Sequence, residues 1–302
     1  MAETLIATKF SEARRGHLAM LAFSALVAGS FSLGSMATPF VDPAALTTLR
    51  FIFAGAIVGA AALATTGIPR SAFAAPWRYA VLGALLAVYF VLMFEGLKTA
   101  APVSTAAVFT LTPLMAAGFG WLVLRQITTP RMAFALAIGG AGAAWVIFRA
   151  DWQALLAFRI GTGEMVYFWG CVCHALYAPM VRKLNRGEPA LVFTFGMMVA
   201  GTVILGLWSW PAILATDWAA LPAIVWITLA YVSIAASAMT FVLLQYAALR
   251  LPSAKVMAYT YLTPSWVILW EVALGRGTPP LSVLAGVGMT VAALYLLLKN
   301  EG

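Results

Sequence analysis

The segment at residues 281–298 reads LSVLAGVGMTVAALYLLL and contains no charged side chain. An α-helix rises ~1.5 Å per residue, so this segment would be about 27 Å long, close to the hydrocarbon thickness of a bilayer. Residues 18–36 form a second apolar segment of similar length. A strand of a membrane β-barrel would alternate polar and apolar residues, so these continuous runs predict membrane-spanning helices.

The overall composition agrees with a membrane protein. Of the 302 residues, 63% are hydrophobic and only 9% are charged, whereas a soluble domain carries roughly 25% charged residues. The net charge of +8 does not require nucleic acid, because basic residues gather in the cytoplasmic loops of membrane proteins. The expected surroundings are therefore a lipid bilayer, with no nucleic acid partner.

Ten segments are long and apolar enough to span a bilayer, which takes about 20 residues. Turn-forming pairs such as Asp42-Pro43 and Pro279-Pro280 separate them. The segments lie near residues 18–36, 44–66, 77–98, 103–124, 131–149, 163–184, 190–210, 219–249, 253–274 and 281–298.

Basic residues predict the orientation of these segments. With the N-terminus in the cytoplasm, 13 Lys and Arg residues fall on the inner side and 4 on the outer side, as the positive-inside rule requires. Both termini are then cytoplasmic. The outer residues are Lys98, Arg149, Arg159 and Arg276, and the inner ones include Lys9, Arg70, Arg78, Arg182, Lys183, Arg186 and Lys299.

Two stretches of the chain resemble each other. Residues 101–113 read APVSTAAVFTLTP, and residues 251–264 read LPSAKVMAYTYLTP. With one residue inserted in the second copy, both contain a proline, an aromatic-Thr pair and Leu-Thr-Pro. Arg125 and Arg276 follow the two Thr-Pro pairs at the same interval. These stretches open the fourth and ninth segments, so the repeat is five helices long.

An odd number of helices inserts the second copy into the membrane upside down. The fold predicted is therefore an all-α membrane protein of ten transmembrane helices, built as two inverted five-helix repeats around a central cavity. Binding sites of such proteins lie near the midplane, between the repeats. The two repeats comprise residues 1–149 and residues 150–302.

Motifs of soluble enzymes are absent from the sequence. It contains no phosphate-binding loop, zinc-ligand spacing or serine-hydrolase motif. His17 and His174 are the only histidines, so no histidine metal site and no cofactor are expected. An intramembrane enzyme would need a nucleophile paired with a base at depth, and His174 has no evident partner in the sequence.

Two prolines lie about half-way along their predicted helices. Pro113 and Pro264 each remove one backbone hydrogen bond and displace the carbonyl four residues earlier, which belongs to Phe109 or Thr260. Such carbonyls are tolerated in lipid only where they face protein, water or a ligand. They predict a cavity that binds an amino or hydroxyl group, or else a kink healed by a neighbouring helix. The threonines before the prolines are Thr112 and Thr263.

Several polar side chains are predicted at depth. A tyrosine hydroxyl inside the membrane needs a partner, which it finds either in a cavity or on another helix. His174 shares a helix face with Tyr177; it could contact a substrate, carry a proton or bond a neighbouring helix. The deep tyrosines are Tyr89, Tyr177, Tyr259 and Tyr261, and Gln245 is a similar candidate.

The remaining charges within the segments are Arg50, Glu95 and Glu271, all near predicted outer ends. Snorkelling or pairing, for example of Arg50 with Glu95, accounts for them without a role in transport. No carboxylate occupies a helix centre, which favours facilitated movement or coupling through His174 over a carboxylate proton carrier.

The ten segments, the five-plus-five repeat and the two Leu-Thr-Pro landmarks resemble the drug/metabolite transporter superfamily, and within it the ten-helix group with two EamA-type repeats. Arg50-Phe51 and Arg125 also resemble that family. Tyr177 followed by Arg182-Lys183, and the run from Tyr261 to Pro264, look most similar to bacterial exporters of aromatic amino acids. The resemblance covers nearly the whole chain.

This resemblance implies a bacterial inner-membrane exporter of amino acids, aromatic or otherwise hydrophobic, that works by alternating access without a cofactor. The implied alternatives are a drug carrier and a nucleotide-sugar carrier; only Lys255 could hold a phosphate. Gly55 and Gly59 offer a close-packing face for scaffold or dimer contacts, so a monomer or weak dimer is expected. The implied substrate-binding residues are Tyr89, Thr112, His174, Tyr177, Gln245, Tyr259, Thr263 and, less directly, Ser30.

Overall fold

The computed structural model describes residues 2–157 and 160–298, with side chains from residue 12 onward. Every regular element in these ranges is helical. Lys9, Arg159 and Lys299, which contribute to the predicted charge asymmetry, lie outside the described side chains. The helices are α1 (Ala2–Ala37), α2 (Pro43–Thr65), α3 (Trp77–Leu97), α4 (Pro102–Phe109), α5 (Thr112–Leu124), α6 (Pro130–Ile147), α7 (Trp152–Leu156), α8 (Thr162–Leu184), α9 (Ala190–Ala215), α10 (Ala223–Ser233), α11 (Thr240–Ala248), α12 (Ser253–Ala258), α13 (Thr263–Ala273) and α14 (Leu281–Leu298).

Four of the predicted spans are interrupted or extended in the structure. A break of two residues separates α4 from α5, a π-helical turn at Ile234–Met239 joins α10 to α11, and a 3-10 turn at Tyr259–Leu262 joins α12 to α13. The first helix begins well before residue 18, the predicted start. A short helix, α7, which the sequence analysis did not predict, lies between α6 and α8.

Within the described ranges, 8 helical stretches are long and apolar enough to cross a membrane. The other two predicted segments are helical but differ in character. The first, α8, carries Glu164 in its first turn and Arg182 and Lys183 in its last. The second, at residues 253–273, is divided by the 3-10 turn. The structure is therefore an all-helical, multi-pass membrane protein.

Local sequence explains where several helices begin and end. The Asp42 carboxylate accepts hydrogen bonds from the backbone N–H groups of Ala44 and Ala45 at 2.9 and 3.0 Å, and Pro43 occupies the first helical position of α2. Thr129 caps α6 in the same way. Arg125 ends α5 in the left-handed conformation, with φ of 56°.

Glycines bring helices together within the chain. A Cβ at Gly83 of α3 would lie 2.7 Å from the backbone nitrogen of Gly201 in α9, so the two backbones touch. Gly59 of α2 lies against the ring of Phe195, and Gly55 faces Met198, both in α9. The face of Gly55 and Gly59 is thus a packing surface inside one chain.

The surface of the helices is apolar. Leu207 and Leu214 of α9 expose 80% and 67% of their side chains, and Leu63 of α2 exposes 68%. A large apolar surface of this kind requires lipid rather than water. The polar side chains discussed below are instead buried between helices.

Candidate functional site

The imidazole of His174 in α8 lies among aromatic rings. Its ring centroid is 4.4 Å from that of Tyr89 in α3 and 5.1 Å from that of Phe109 at the end of α4. Phe23 of α1 lies 6.3 Å away. The predicted shared face of His174 and Tyr177 is confirmed, since their rings stack at 6.5 Å. We call Phe23, Phe31, Tyr89, Phe109, Tyr167, His174 and Tyr177 the aromatic cluster.

Tyr167 also belongs to this cluster, although it was not among the predicted site residues. Its hydroxyl donates to the hydroxyl of Tyr89 at 3.1 Å, and its ring contacts Phe31 and Phe109. Tyr167 precedes His174 by seven residues, or two helical turns, so both point from the same side of α8. This seven-residue spacing from His174 could have identified Tyr167 from the sequence.

Five of the eight predicted site residues carry buried polar atoms with no hydrogen-bond partner in the described part of the chain. A buried donor or acceptor without a partner costs about 1–3 kcal/mol. Each of these groups needs a ligand or a water molecule to supply its partner. These atoms are Ser30 Oγ, His174 Nδ1, Tyr177 Oη, Thr263 Oγ1 and both amide atoms of Gln245.

The two proline breaks are closed locally, which corrects the prediction that their carbonyls are open to a substrate. The hydroxyl of Thr112 donates to the carbonyl of Phe109 at 2.7 Å. The backbone N–H of Thr263 donates to the carbonyl of Thr260 within the 3-10 turn. Each of these donors lies three residues after the carbonyl that it serves. A neighbouring helix contributes as well at the second break, because the hydroxyl of Thr290 in α14 donates to the carbonyl of Tyr261 at 3.0 Å.

Tyr259 lies elsewhere. Its hydroxyl is 3.1 Å from Nδ1 of His17 in α1, and the two rings are 5.9 Å apart. The structure therefore groups Tyr89, His174 and Tyr177 in one cluster and places Tyr259 against the cytoplasmic half of α1 in the predicted orientation. Thr112 is connected to the second half of the chain through Thr260, at 3.0 Å.

Arg50 does not pair with Glu95. Its guanidinium donates to the hydroxyl of Ser237 and, at 2.5 Å, to the carbonyl of Ala236, both in the π-helical turn. Glu95 instead forms a salt bridge with Lys98 at 2.8 Å. Arg50 is fully buried, so snorkelling to the membrane surface is wrong as well.

A buried ion pair joins α3 to the loop between α8 and α9. Arg78 donates to Glu188 at 2.6 Å and to the carbonyl of Leu184 at 2.7 Å. Burial by itself would raise the pKa of Glu188, but the hydrogen bonds from Arg78 and from the backbone N–H of Arg186 hold that pKa below its usual value. The carboxylate is therefore charged at neutral pH. This pair fastens one end of the α3–α8 interface.

No group of three His, Cys, Asp or Glu side chains in the described ranges is arranged to hold a metal ion. Cys171 is buried and Cys173 half-buried, and both are free thiols.

Comparison with known proteins identifies the family. The model of the EamA-like transporter family matches twice, at residues 14–148 and 161–299. An uncharacterized transporter of Bacillus subtilis (strain 168), YyaM, is 24% identical over 283 residues, covering 93% of this chain and 92% of that protein. A protein crystal structure superposes with a TM-score of 0.72 at 22% identity, covering 96% of this chain and 98% of that one. The chain belongs to the EamA-like transporter family.

Proposed function

We propose that this transporter exports amino acids with aromatic or otherwise hydrophobic side chains. The observation that carries the proposal is the coincidence of stacked rings and unpaired polar atoms at one place. His174, whose ring lies 4.4 Å from that of Tyr89, has an unpaired Nδ1, and Tyr177, which stacks on His174, has an unpaired hydroxyl. An aromatic side chain would stack on these rings, and the amino group of the substrate would pair with the free acceptors.

We further propose ten spans arranged as two inverted repeats, residues 1–149 and 150–302. The family model matches the chain twice, once in each proposed repeat. The contacts between helices also agree with two equivalent repeats, because a contact between two spans recurs between their equivalents in the other repeat. The third span (α3) lies along the sixth (α8), and the eighth (α10 and α11) lies along the first (α1). The pairs α2 with α9, α5 with α12 and α6 with α14 each join equivalent spans.

Alternating access follows from this arrangement. The rings of the aromatic cluster contact one another directly, so a substrate enters only when the helices that carry these rings move relative to one another. The proposed cavity is the space that this movement opens. In the predicted orientation, with both termini in the cytoplasm of a bacterium, the pair of Arg78 and Glu188 closes the inner end of the α3–α8 interface.

A monomer is the proposed functional unit, because the glycine face that could have supported a dimer is used within the chain. Gly55 and Gly59 of α2 face Met198 and Phe195 of α9. Helix association in membranes depends on such close contacts between small residues. Once these contacts are made internally, a second copy has no access to them.

The alternatives fit the buried charges less well. A nucleotide sugar carries two phosphates, which need several basic partners. Among the described residues the fully buried cations are Arg50 and Arg78, and Arg78 is already paired with Glu188. A drug carrier would not need unpaired hydroxyl and amide groups. An intramembrane enzyme would need a nucleophile bonded to His174, whose Nδ1 has no partner in the described chain.

Uptake into proteoliposomes tests the proposal. Purified protein is reconstituted, and radiolabelled phenylalanine, leucine and a uridine-diphosphate sugar are compared at equal concentration. Saturable uptake of phenylalanine, exceeding that of the sugar nucleotide by at least about tenfold, is expected. Uptake of the sugar nucleotide without any uptake of amino acids would reject the proposal in favour of the nucleotide-sugar alternative.

A further inference from the structure

Arg50 is a cation buried inside the bilayer-spanning part of the chain. It lies seven residues after Pro43, the start of α2, which places it about 10 Å along the helix axis. Its side chain has no exposed surface. Charged side chains at such positions are costly, and they usually pair with another charge or mark a substrate path.

No carboxylate of the described chain neutralises Arg50. Glu12, Glu95, Glu188 and Glu271 pair with other basic residues. The remaining described acids serve local roles: three cap or brace backbone turns, and one accepts a hydrogen bond from Ser104. These four are Asp42, Asp151, Asp217 and Glu164.

The guanidinium is held in place with one nitrogen left over. Nε donates to the hydroxyl of Ser237 and Nη2 to the carbonyl of Ala236. The π-helical turn that contains both residues departs from regular α-helical hydrogen bonding, and such turns are frequent at functional sites. Nη1 forms no hydrogen bond within the ranges that the structure describes. Two neutral groups therefore hold the guanidinium of Arg50 in place, and its Nη1 group keeps a donor that is not used.

One ring, that of Phe90, separates Arg50 from the aromatic cluster. Its Cζ lies 3.6 Å from the ring centroid of Phe90. The ring of Phe90 is 4.5 Å from that of Tyr89, which in turn contacts His174. A continuous series of contacts thus leads from the guanidinium to the rings where the substrate side chain is proposed to stack.

We propose that Arg50 binds the carboxylate of the transported amino acid. This inference rests on the proposed function and names the group that selects for an acid. The guanidinium carries a full positive charge, and its Nη1 group is free to donate to a carboxylate oxygen. The substrate supplies the negative charge that the protein lacks there. Ser237 is a positioning residue, because it acts on the substrate only through Arg50.

The competing explanation is structural: Arg50 would only fasten α2 to the π-helical turn. The two explanations differ in one measurable respect. A structural arginine affects the binding of an acid and of its neutral amide equally, whereas a carboxylate receptor discriminates between them. Phenylalanine and phenylalaninamide keep the same ring and the same amino group, and they differ only in the carboxylate.

Calorimetric titration of the full-length protein in lipid nanodiscs measures this discrimination. The wild type is expected to bind phenylalanine about 10- to 100-fold more tightly than phenylalaninamide. Arg50→Gln should lower phenylalanine affinity by the same factor and leave phenylalaninamide affinity within about twofold. Arg276→Gln, which removes the same charge from the pair with Glu271, is the matched control and should keep the wild-type preference.

Two further variants test the same proposal if Arg50→Gln does not fold. Arg50→Lys keeps the charge, but an ammonium group cannot bond Ser237 and Ala236 and also present a donor in the position of Nη1. The preference for the acid should therefore fall to an intermediate value. Ser237→Ala keeps the guanidinium but loosens it, so the preference should persist at a several-fold weaker affinity. If Arg50→Gln folds and keeps the full preference for phenylalanine over its amide, the proposal is overturned. If Arg50→Gln does not fold, a full preference in Arg50→Lys overturns it instead.

The outcomes separate this inference from the proposed function. Equal binding of phenylalanine and its amide by the wild type overturns the role of Arg50 and leaves amino acid export standing. If neither compound binds, the amino acid proposal fails, and phenylacetate is compared with phenylacetamide instead. Preference for phenylacetate that Arg50→Gln removes then supports Arg50 as a carboxylate receptor, and lack of preference overturns it.

Discussion

The hydroxyl oxygens of Thr112 and Thr260 lie 3.0 Å apart and connect the two proline breaks across the two proposed repeats. Each hydroxyl also faces a carbonyl of its own helix, that of Phe109 at 2.7 Å and that of Met257 at 2.8 Å. Two hydroxyl protons thus serve three contacts. The contact between the halves forms only when one hydroxyl releases its carbonyl, so it is easily exchanged during a conformational change.

Thr112→Val should lower the free energy of unfolding by about 1–2 kcal/mol, because the carbonyl of Phe109 loses its described donor. Thr105→Val is the matched control. The hydroxyl of Thr105 donates to the carbonyl of Ala101, which also accepts the backbone N–H of Thr105 and therefore stays satisfied. Thermal unfolding in detergent measures both variants. A loss in Thr105→Val equal to that in Thr112→Val would contradict this explanation of the break.

Tyr177→Phe should reduce phenylalanine uptake about tenfold without reducing stability. Its hydroxyl has no hydrogen-bond partner in the described chain, so removing it breaks no internal bond, whereas a substrate loses a contact. Tyr167→Phe provides the contrast, because it removes the bond to Tyr89 and should lower stability by about 1 kcal/mol. Unfolding temperature and initial uptake rate are measured for both; a less stable Tyr177→Phe with normal uptake would remove Tyr177 from the site.

The salt bridge between Arg78 and Glu188 should make stability depend on pH in the acid range. Because the pKa of Glu188 is lower in the folded protein, the pair contributes fully above the ordinary carboxyl pKa of about 4.3 and is lost as the pH falls through the lowered value. Wild type should exceed Glu188→Gln in stability by about 1–3 kcal/mol at pH 7. Melting curves between pH 3 and pH 8 should converge at the acid end; a constant difference would exclude the ion pair as its cause.

Cysteine labelling tests the proposed orientation. Lys183 and Arg276 are both exposed side chains, and the positive-inside rule places Lys183 inside and Arg276 outside the cell. In a background without the native thiols, a membrane-impermeant maleimide should label Arg276→Cys in intact cells and Lys183→Cys only after permeabilisation. The reverse labelling pattern would contradict the proposed orientation of the chain in the membrane.

The sequence predicted helix positions better than partners, for a physical reason. Hydropathy is local, so the segments at 44–66 and 281–298 match α2 and α14 closely. The partner of Arg50 depends on how α2 meets the π-helical turn, which no local pattern encodes. The carbonyls beside Pro113 and Pro264 were misjudged because the closing donors come from the helix itself.

Within the site, too, local helical periodicity was predictable from the sequence and the partners of side chains were not. The face of α8 that carries His174 and Tyr177 follows from helical periodicity, and the same periodicity would have revealed Tyr167. Tyr259 was grouped with them on its predicted depth and on the family resemblance, yet its hydroxyl lies against His17 on α1. A shared depth in the membrane does not determine which neighbouring helix a side chain faces.

The most direct test of a substrate site between α3 and α8 is a cryo-electron microscopy structure of the protein in nanodiscs with bound phenylalanine. The ring of the ligand is predicted to lie between Tyr89 and His174, with its carboxylate within hydrogen-bond distance of Arg50. Ligand density at the lipid-facing surface, with the rings of Tyr89 and His174 still in contact, would contradict the account.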